Sequence, residues 1–135
     1  MNTVILVLAF VAIAFLVYKL WKPIIAPPKR EVPANEARIY LFYTEWCGHS
    51  KKAMPEWTKL ERKLKAESYF GKTHVTAVRV NCETDKKTAM IYGINAYPTV
   101  VLETSTGIHE YNKKVDMPNL IGFLRETLGK ERESL

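Results

Sequence analysis

The sequence predicts an α/β domain of order β-α-β-α-β-β-α, a mixed sheet flanked by helices, preceded by one apolar helix. Three observations carry this. Short β-rich runs alternate with amphipathic stretches across residues 37–130. A strand–helix–strand succession near the start calls for a parallel pair, and a tight turn near the end calls for a hairpin. An uncharged run at residues 3–18 stands apart from both.

That run reads TVILVLAFVAIAFLVY, with no charge and no helix breaker. Extended to Trp21 it makes a helix of about 28 Å, close to a bilayer core of about 30 Å. Lys19 can snorkel from its end, and Tyr18 and Trp21 suit the headgroup interface. A buried core helix would show a polar face, and none is present. Ala12-Ile13-Ala14 resembles a signal cleavage site, but no basic residue precedes the run and apolar residues continue past it. The expectation is a single-pass transmembrane anchor over 3–21. Lys19, Lys22, Lys29 and Arg30 follow it, and the positive-inside rule puts the remainder on the cytoplasmic side.

A linker is expected over 22–36. It carries Pro23, Pro27, Pro28 and Pro33, four of the chain's seven prolines, and should be extended and free of helix. The folded domain is expected over 37–130. Arg38–Tyr43 reads as a buried strand. Ser50–Ala66 is an amphipathic helix with Ala53, Trp57, Leu60 and Leu64 on one stripe, which Pro55 should kink. Val75–Val80 alternates as a strand. Lys86–Tyr92 is a short helix stopped by Gly93. Thr99–Glu103 and Ile108–Tyr111 are strands joined through Ser105-Thr106-Gly107. Pro118 suits the first turn of a last helix, Pro118–Leu128. Residues 131–135 should fray.

The totals are 135 residues, a net charge of +6 and two cysteines. That length favours one domain. Two cysteines exclude a disulfide-stapled scaffold. With His49, His74 and His109 scattered, no metal site is expected. Residues 37–135 hold sixteen basic and twelve acidic side chains without aromatic interleaving, which argues against nucleic acid. Trp57 and Tyr92 read as core. Glu56 and Glu61 among the lysines of 51–65 read as a solvated helix face.

The chemistry concentrates in Trp46-Cys47-Gly48-His49-Ser50. A cysteine directly after a strand and at a helix start meets free N–H groups and the positive end of the helix dipole, which favour the thiolate. Gly48 permits close approach, His49 can add positive charge, and Ser50 can donate a hydrogen bond to sulfur. A cysteine so placed can also be a plain packing residue.

The segment FYTEWCGHS resembles the WCGHC site of the protein disulfide isomerase branch of the thioredoxin superfamily. Lys51 and Pro55-Glu56 match residues that follow that site. Val80-Asn81-Cys82 is similar to the family's VDC, and Tyr92-Gly93-Ile94 with Ala96-Tyr97-Pro98-Thr99 is similar to its YGV…YPT segment. The resemblance implies a thioredoxin-like fold, a cis Tyr97-Pro98 bond facing Cys47, an exposed Trp46 lining a substrate groove, and a Tyr97 backbone that pairs with a bound peptide.

Three departures shape the function. Ser50 stands where the family has its resolving cysteine. Leu41 stands where it has a buried acid that takes that cysteine's proton. Val115, after Lys113 and Lys114, stands near its arginine before the last helix. The resemblance therefore implies a monothiol site, with Cys47 acting alone on substrate disulfides or mixed disulfides and needing an external thiol for release. Cys82 is the second thiol. To resolve a mixed disulfide it would need its Cα within about 7 Å of that of Cys47, and a buried, inert role is preferred.

The expected partners are cysteine-containing client proteins or extended peptides, and the membrane. No cofactor is expected, with glutathione as a candidate co-substrate. A redox-inactive peptide-binding module is the alternative. A glutathione or iron–sulfur protein is a further one, since Cys-Gly-His-Ser shares the cysteine and serine spacing of monothiol glutaredoxins. Flanking charge points to the cytosol and the resemblance to the endoplasmic reticulum lumen; a viral membrane would reconcile the two.

Overall fold

A computed structural model describes the backbone of residues 3–25 and 31–133, and side chains over 3–19 and 31–129. The chain divides into two units, 1–30 and 31–135.

The first unit holds α1 (Thr3–Ile25). Its described side chains are all exposed. Among the described residues no helix is long and apolar enough to cross a membrane. α1 runs 23 residues, but its described side chains end at Lys19, so part of the span expected to Trp21 lies outside them. The expectation of a helix-free segment from residue 22 fails at its start, because α1 continues through Pro23 to Ile25. Proline's fixed φ is compatible with helix, and the helix runs only two residues past it, although the missing N–H removes one hydrogen bond of the last turn. Residues 26–30 lie outside the described residues.

The second unit contains β1 (Glu36–Tyr43), α2 (Gly48–Ala66), β2 (Tyr69–Phe70), β3 (Thr73–Asn81), α3 (Lys86–Ile91), β4 (Thr99–Thr104), β5 (Ile108–Tyr111) and α4 (Met117–Glu133). The five strands lie in the order β2-β3-β1-β4-β5. β1 and β3 are parallel through the α2 crossover, and β4 and β5 form the antiparallel hairpin, as the connections require. The linker ends sooner than expected. Val32 is buried, Glu36 N–H donates to Pro33 O at 2.9 Å, and β1 already pairs at Glu36, opposite His74. β2 is an addition. Two residues leave no periodicity to read, and the reversal into β3 rests on Gly71 at φ 65°. α4 also outruns its expected end, reaching Glu133 into the segment expected to fray; Lys, Glu and Arg there are good helix formers.

Successive β1 side chains alternate between two cores. Ala37, Ile39 and Leu41 join Trp57, Leu60, Leu102, Leu120 and Leu124 in the larger one, which gathers side chains of α2 and α4. Tyr40 and Phe42 join Val80, Cys82, Ala89 and Val101 in the smaller one, which reaches α3. Among the described residues every buried one lies between Val32 and Leu128, so the second unit carries a core of its own.

The acidic residues of α2 do more than face solvent. Glu61 accepts from Trp57 Nε1 at 3.0 Å and from Arg79 Nε and Nη2 at 2.6 and 2.5 Å. Glu56 pairs with Lys59 and accepts the Met117 N–H at 3.0 Å, satisfying a free donor at the start of α4. With Asp116 taking the Asn119 N–H, this helix start is capped.

The smaller core holds a buried carboxylate that the sequence did not announce. Glu103 is 6% exposed and accepts from Tyr40 Oη at 3.1 Å and Tyr92 Oη at 3.0 Å. Burial, then the hydrogen bonds to Tyr40 and Glu103, raise the Tyr92 pKa. Burial also pushes Tyr111 up to about 12. Raised phenol values mean that the folded state keeps protons which the unfolded chain loses. Their contribution to stability is complete below the unfolded value of about 10 and is lost as pH rises through the folded values. Urea midpoints should hold level up to about pH 10 and fall beyond it, and Tyr92→Phe should shallow that fall. At neutral pH the same variant should cost about 1–3 kcal/mol, because Glu103 loses one of its two donors.

Candidate active site

β1 delivers the chain to Thr44, and Cys47 is the N-cap of α2, with φ −78° and ψ 118°. β3 ends level with Tyr43, so Cys82 follows beside it, its N–H donating to Tyr43 O at 2.9 Å. Thr99 opens β4 opposite Phe42, which brings Tyr97-Pro98 to the same end of the sheet. Three chain-distant segments therefore meet where β1 gives way to α2.

The Cys47 thiol donates to Tyr97 O at 3.5 Å, and the Tyr97-Pro98 bond is cis. On ionisation the sulfur gains other partners. The Ser50 backbone N–H, with help from the Ser50 hydroxyl and the His49 N–H, holds the Cys47 pKa below the ordinary thiol value, against a smaller opposing effect of desolvation. This is the helix-start stabilisation of a thiolate.

Ser50 is 1% exposed, and its Oγ accepts the Thr44 N–H at 3.4 Å. Thr44 Oγ1, beside it in sequence, is buried with no hydrogen-bond partner. His49 is exposed and acts on the sulfur through its backbone. Gly48 is not imposed by crowding, since a Cβ there would meet nothing within 4 Å. The space beside the nucleophile is open. Trp46 is 68% exposed and stands edge-on to the Tyr97 ring, centroids 6.2 Å apart. The Tyr97 carbonyl thus meets the sulfur, and the Tyr97 ring meets an exposed Trp46.

Cys82 is at the same sheet end but faces the smaller core. It is 6% exposed, directs its thiol at Val80 O at 3.7 Å, and has a pKa raised chiefly by burial. Both cysteines are free thiols. Leu41 is fully buried among the apolar residues of the larger core. Among the described residues no group of three or more His, Cys, Asp or Glu side chains could hold a metal ion.

A brace behind the reactive loop escaped the sequence reading. Glu83 accepts the Glu45 N–H at 2.7 Å, Asn81 Nδ2 donates to Glu45 at 3.2 Å, and Asn81 Oδ1 accepts the Glu83 N–H at 3.0 Å. It ties the segment before Trp46 to the end of β3. The one signal available was the polar Asn81 at a strand end.

The family model described as Thioredoxin matches residues 29–126. Protein disulfide-isomerase erp38 of Neurospora crassa is 33% identical over 108 residues, covering 77% of this chain and 28% of that protein. Thioredoxin domain-containing protein R362 of Acanthamoeba polyphaga mimivirus is 30% identical over 91 residues, covering 66% of this chain and 26% of that protein. The crystal structure of the Trx4 domain of ERdj5 superposes with a TM-score of 0.57 at 27% identity, over 71% of this chain and 82% of that one. The match thus spans little more than a quarter of either curated relative. The family match covers most of the second unit and the sheet order agrees with it: the chain belongs to the thioredoxin family.

Proposed function

We propose that this chain is a membrane-anchored thiol–disulfide exchange protein of the disulfide isomerase type, working through Cys47 alone. One observation carries the reading: the Cys47 sulfur sits between the α2 amides, which favour its thiolate, and the Tyr97 carbonyl, while the fourth motif position is Ser50. The Cys47 thiolate attacks one sulfur of a client disulfide. A mixed disulfide forms and the client's other sulfur leaves as thiolate. A second client thiolate, or glutathione, then attacks the mixed disulfide on the client's sulfur and returns Cys47 as thiolate. Two electrons move within the client or from glutathione, and the chain ends as it began. This chemistry suits rearrangement of disulfides, removal of glutathione and capture of clients. The Tyr97 backbone and the Trp46 ring supply the edge and wall for an extended segment of the client.

The anchor reading is supported by the 23-residue α1 and its exposed apolar side chains. The lysines and arginine that follow favour the cytoplasmic side.

The test is the pH dependence of Cys47 alkylation in the unit 31–135, with Cys82 changed to alanine. The expected midpoint lies clearly below the free thiol value of about 8.5. A midpoint at or above that value would overturn thiol chemistry and leave a peptide-binding module on the same scaffold.

A further inference from the structure

We propose that the end of the second unit opposite Cys47 is a docking surface for anionic phospholipid headgroups, a deepening that rests on the anchor reading above. β1 runs from Glu36 at this end toward Cys47 at the other, roughly 26 Å at about 3.3 Å per residue. Beside Glu36 lies a cavity of about 740 Å³ whose lining includes Ala34 and Asn35, the turn of the β2–β3 hairpin, the β4–β5 turn and the end of α4.

The rim combines two kinds of side chain that belong together at a bilayer surface. Its cations are Lys63, Lys72 and Arg125. Glu67 pairs with Lys63 at 2.9 Å, and the set keeps a surplus of two positive charges. Its exposed aromatic is Tyr69 at the hairpin, while Phe70 beside it packs against the larger core. Tyr69 is 67% exposed, its ring edge-on to His74 at 5.3 Å. Aromatic rings concentrate at headgroup level, and basic side chains are drawn to anionic leaflets. Ser105 in the lining adds a hydroxyl suited to phosphate oxygens.

Charge complementarity selects an anionic surface. Sequence favours a membrane over a free anion, because the apolar run 3–18 and basic Lys29-Arg30 come before the second unit in the chain. Docked this way, the domain turns Cys47, Trp46 and Tyr97 away from the lipid and toward clients.

The unit 31–135 is the material for the test. It should sediment with vesicles of phosphatidylcholine and phosphatidylserine in equal parts, and not with phosphatidylcholine alone. Binding should weaken as salt rises. Each cation near an anionic surface is worth about fivefold in partition, so K72E/R125E should lose more than about 25-fold. The single change Lys72→Gln, at an exposed turn, should lose about fivefold with no effect on folding. Equal binding to both vesicle types, or undiminished binding by both variants, would overturn the proposal. So would glycerophosphoserine binding as tightly as the vesicles, which would indicate a pocket for a free phosphate ester. Retention of the full chain in membranes through alkaline carbonate extraction tests the anchor separately. Loss there removes the anchor, whereas loss of vesicle binding by 31–135 removes the docking surface alone.

Discussion

Changing Ser50 to cysteine should shorten the lifetime of a Cys47 mixed disulfide by at least about a thousandfold at millimolar external thiol. Position 50 lies in the first turn of α2, which Cys47 caps, and the Ser50 hydroxyl helps lower the Cys47 pKa, so a thiol there is expected within reach of the sulfur. A thiol in that place acts within the molecule. An effective concentration of only about 1 M, far below the ceiling for well-placed groups, yields the thousandfold. Two features hold the gain short of that ceiling. Position 50 is buried, and burial raises a thiol's pKa and thins the attacking thiolate. Leu41 supplies no carboxylate to take the proton. The product is an internal 47–50 disulfide, and the client leaves reduced. On the proposed mechanism serine does more than silence one step: it changes net reduction of a client into exchange that needs a second thiol. The check is to load each protein with glutathione as the mixed disulfide and follow its release by mass. Equal lifetimes for Ser50→Cys and the parent would show that the two side chains cannot reach bonding geometry, and the monothiol reading would lose its physical basis.

The parts of this molecule legible in the sequence are those where one local pattern decides the outcome. Residues 39–42 had to be a strand buried on both faces, because they are apolar without alternation, and the two cores on either side of β1 are the reason. The convergence of Cys47 with Tyr97-Pro98 came from resemblance. No spacing rule predicts a contact across 50 residues of chain. The illegible parts are pairings between distant polar groups. Glu103 sits in a strand that reads as apolar, and its partners Tyr40 and Tyr92 are 63 and 11 residues away. Nothing local marks it as buried. Glu56 and Glu61 read as solvent-facing because they alternate with lysines. Their partners Met117 and Arg79 come from other elements that only tertiary packing brings near. The Glu45–Asn81–Glu83 brace is hidden for the same reason. Gly48 errs in the other direction: a glycine beside a nucleophile suggests crowding, and the fold leaves the space open.

Trp57→Ala should be the most destabilising single change in the domain, costing about 3–5 kcal/mol, a large share of the roughly 5–15 kcal/mol that holds a typical domain together. Trp57 is fully buried, the largest such side chain, and packs in the core that joins α2 to the sheet. Its Nε1 also donates to Glu61, the carboxylate that Arg79 grips from β3. Truncation opens a cavity and removes one of the donors that fix Glu61. Trp57→Phe separates the two effects. It keeps most of the apolar volume and loses the N–H, at about 1–2 kcal/mol. Urea unfolding reads both, with lowered midpoints and unchanged slopes if only stability has moved. The consequence reaches Cys47 because α2 is one body. Trp57 pins its middle to the core, and Cys47 caps its first turn. A loosened α2 carries the Ser50 and His49 amides away from a stable position opposite Tyr97. The alkylation midpoint of Cys47 in folded Trp57→Phe should therefore stay low, while Trp57→Ala, where it still folds, should drift toward the free thiol value. A loss below about 1 kcal/mol for Trp57→Ala would mean that the core collapses around the gap. The reactive geometry would then be held from the loop side, by Glu83 and Asn81, instead of from beneath.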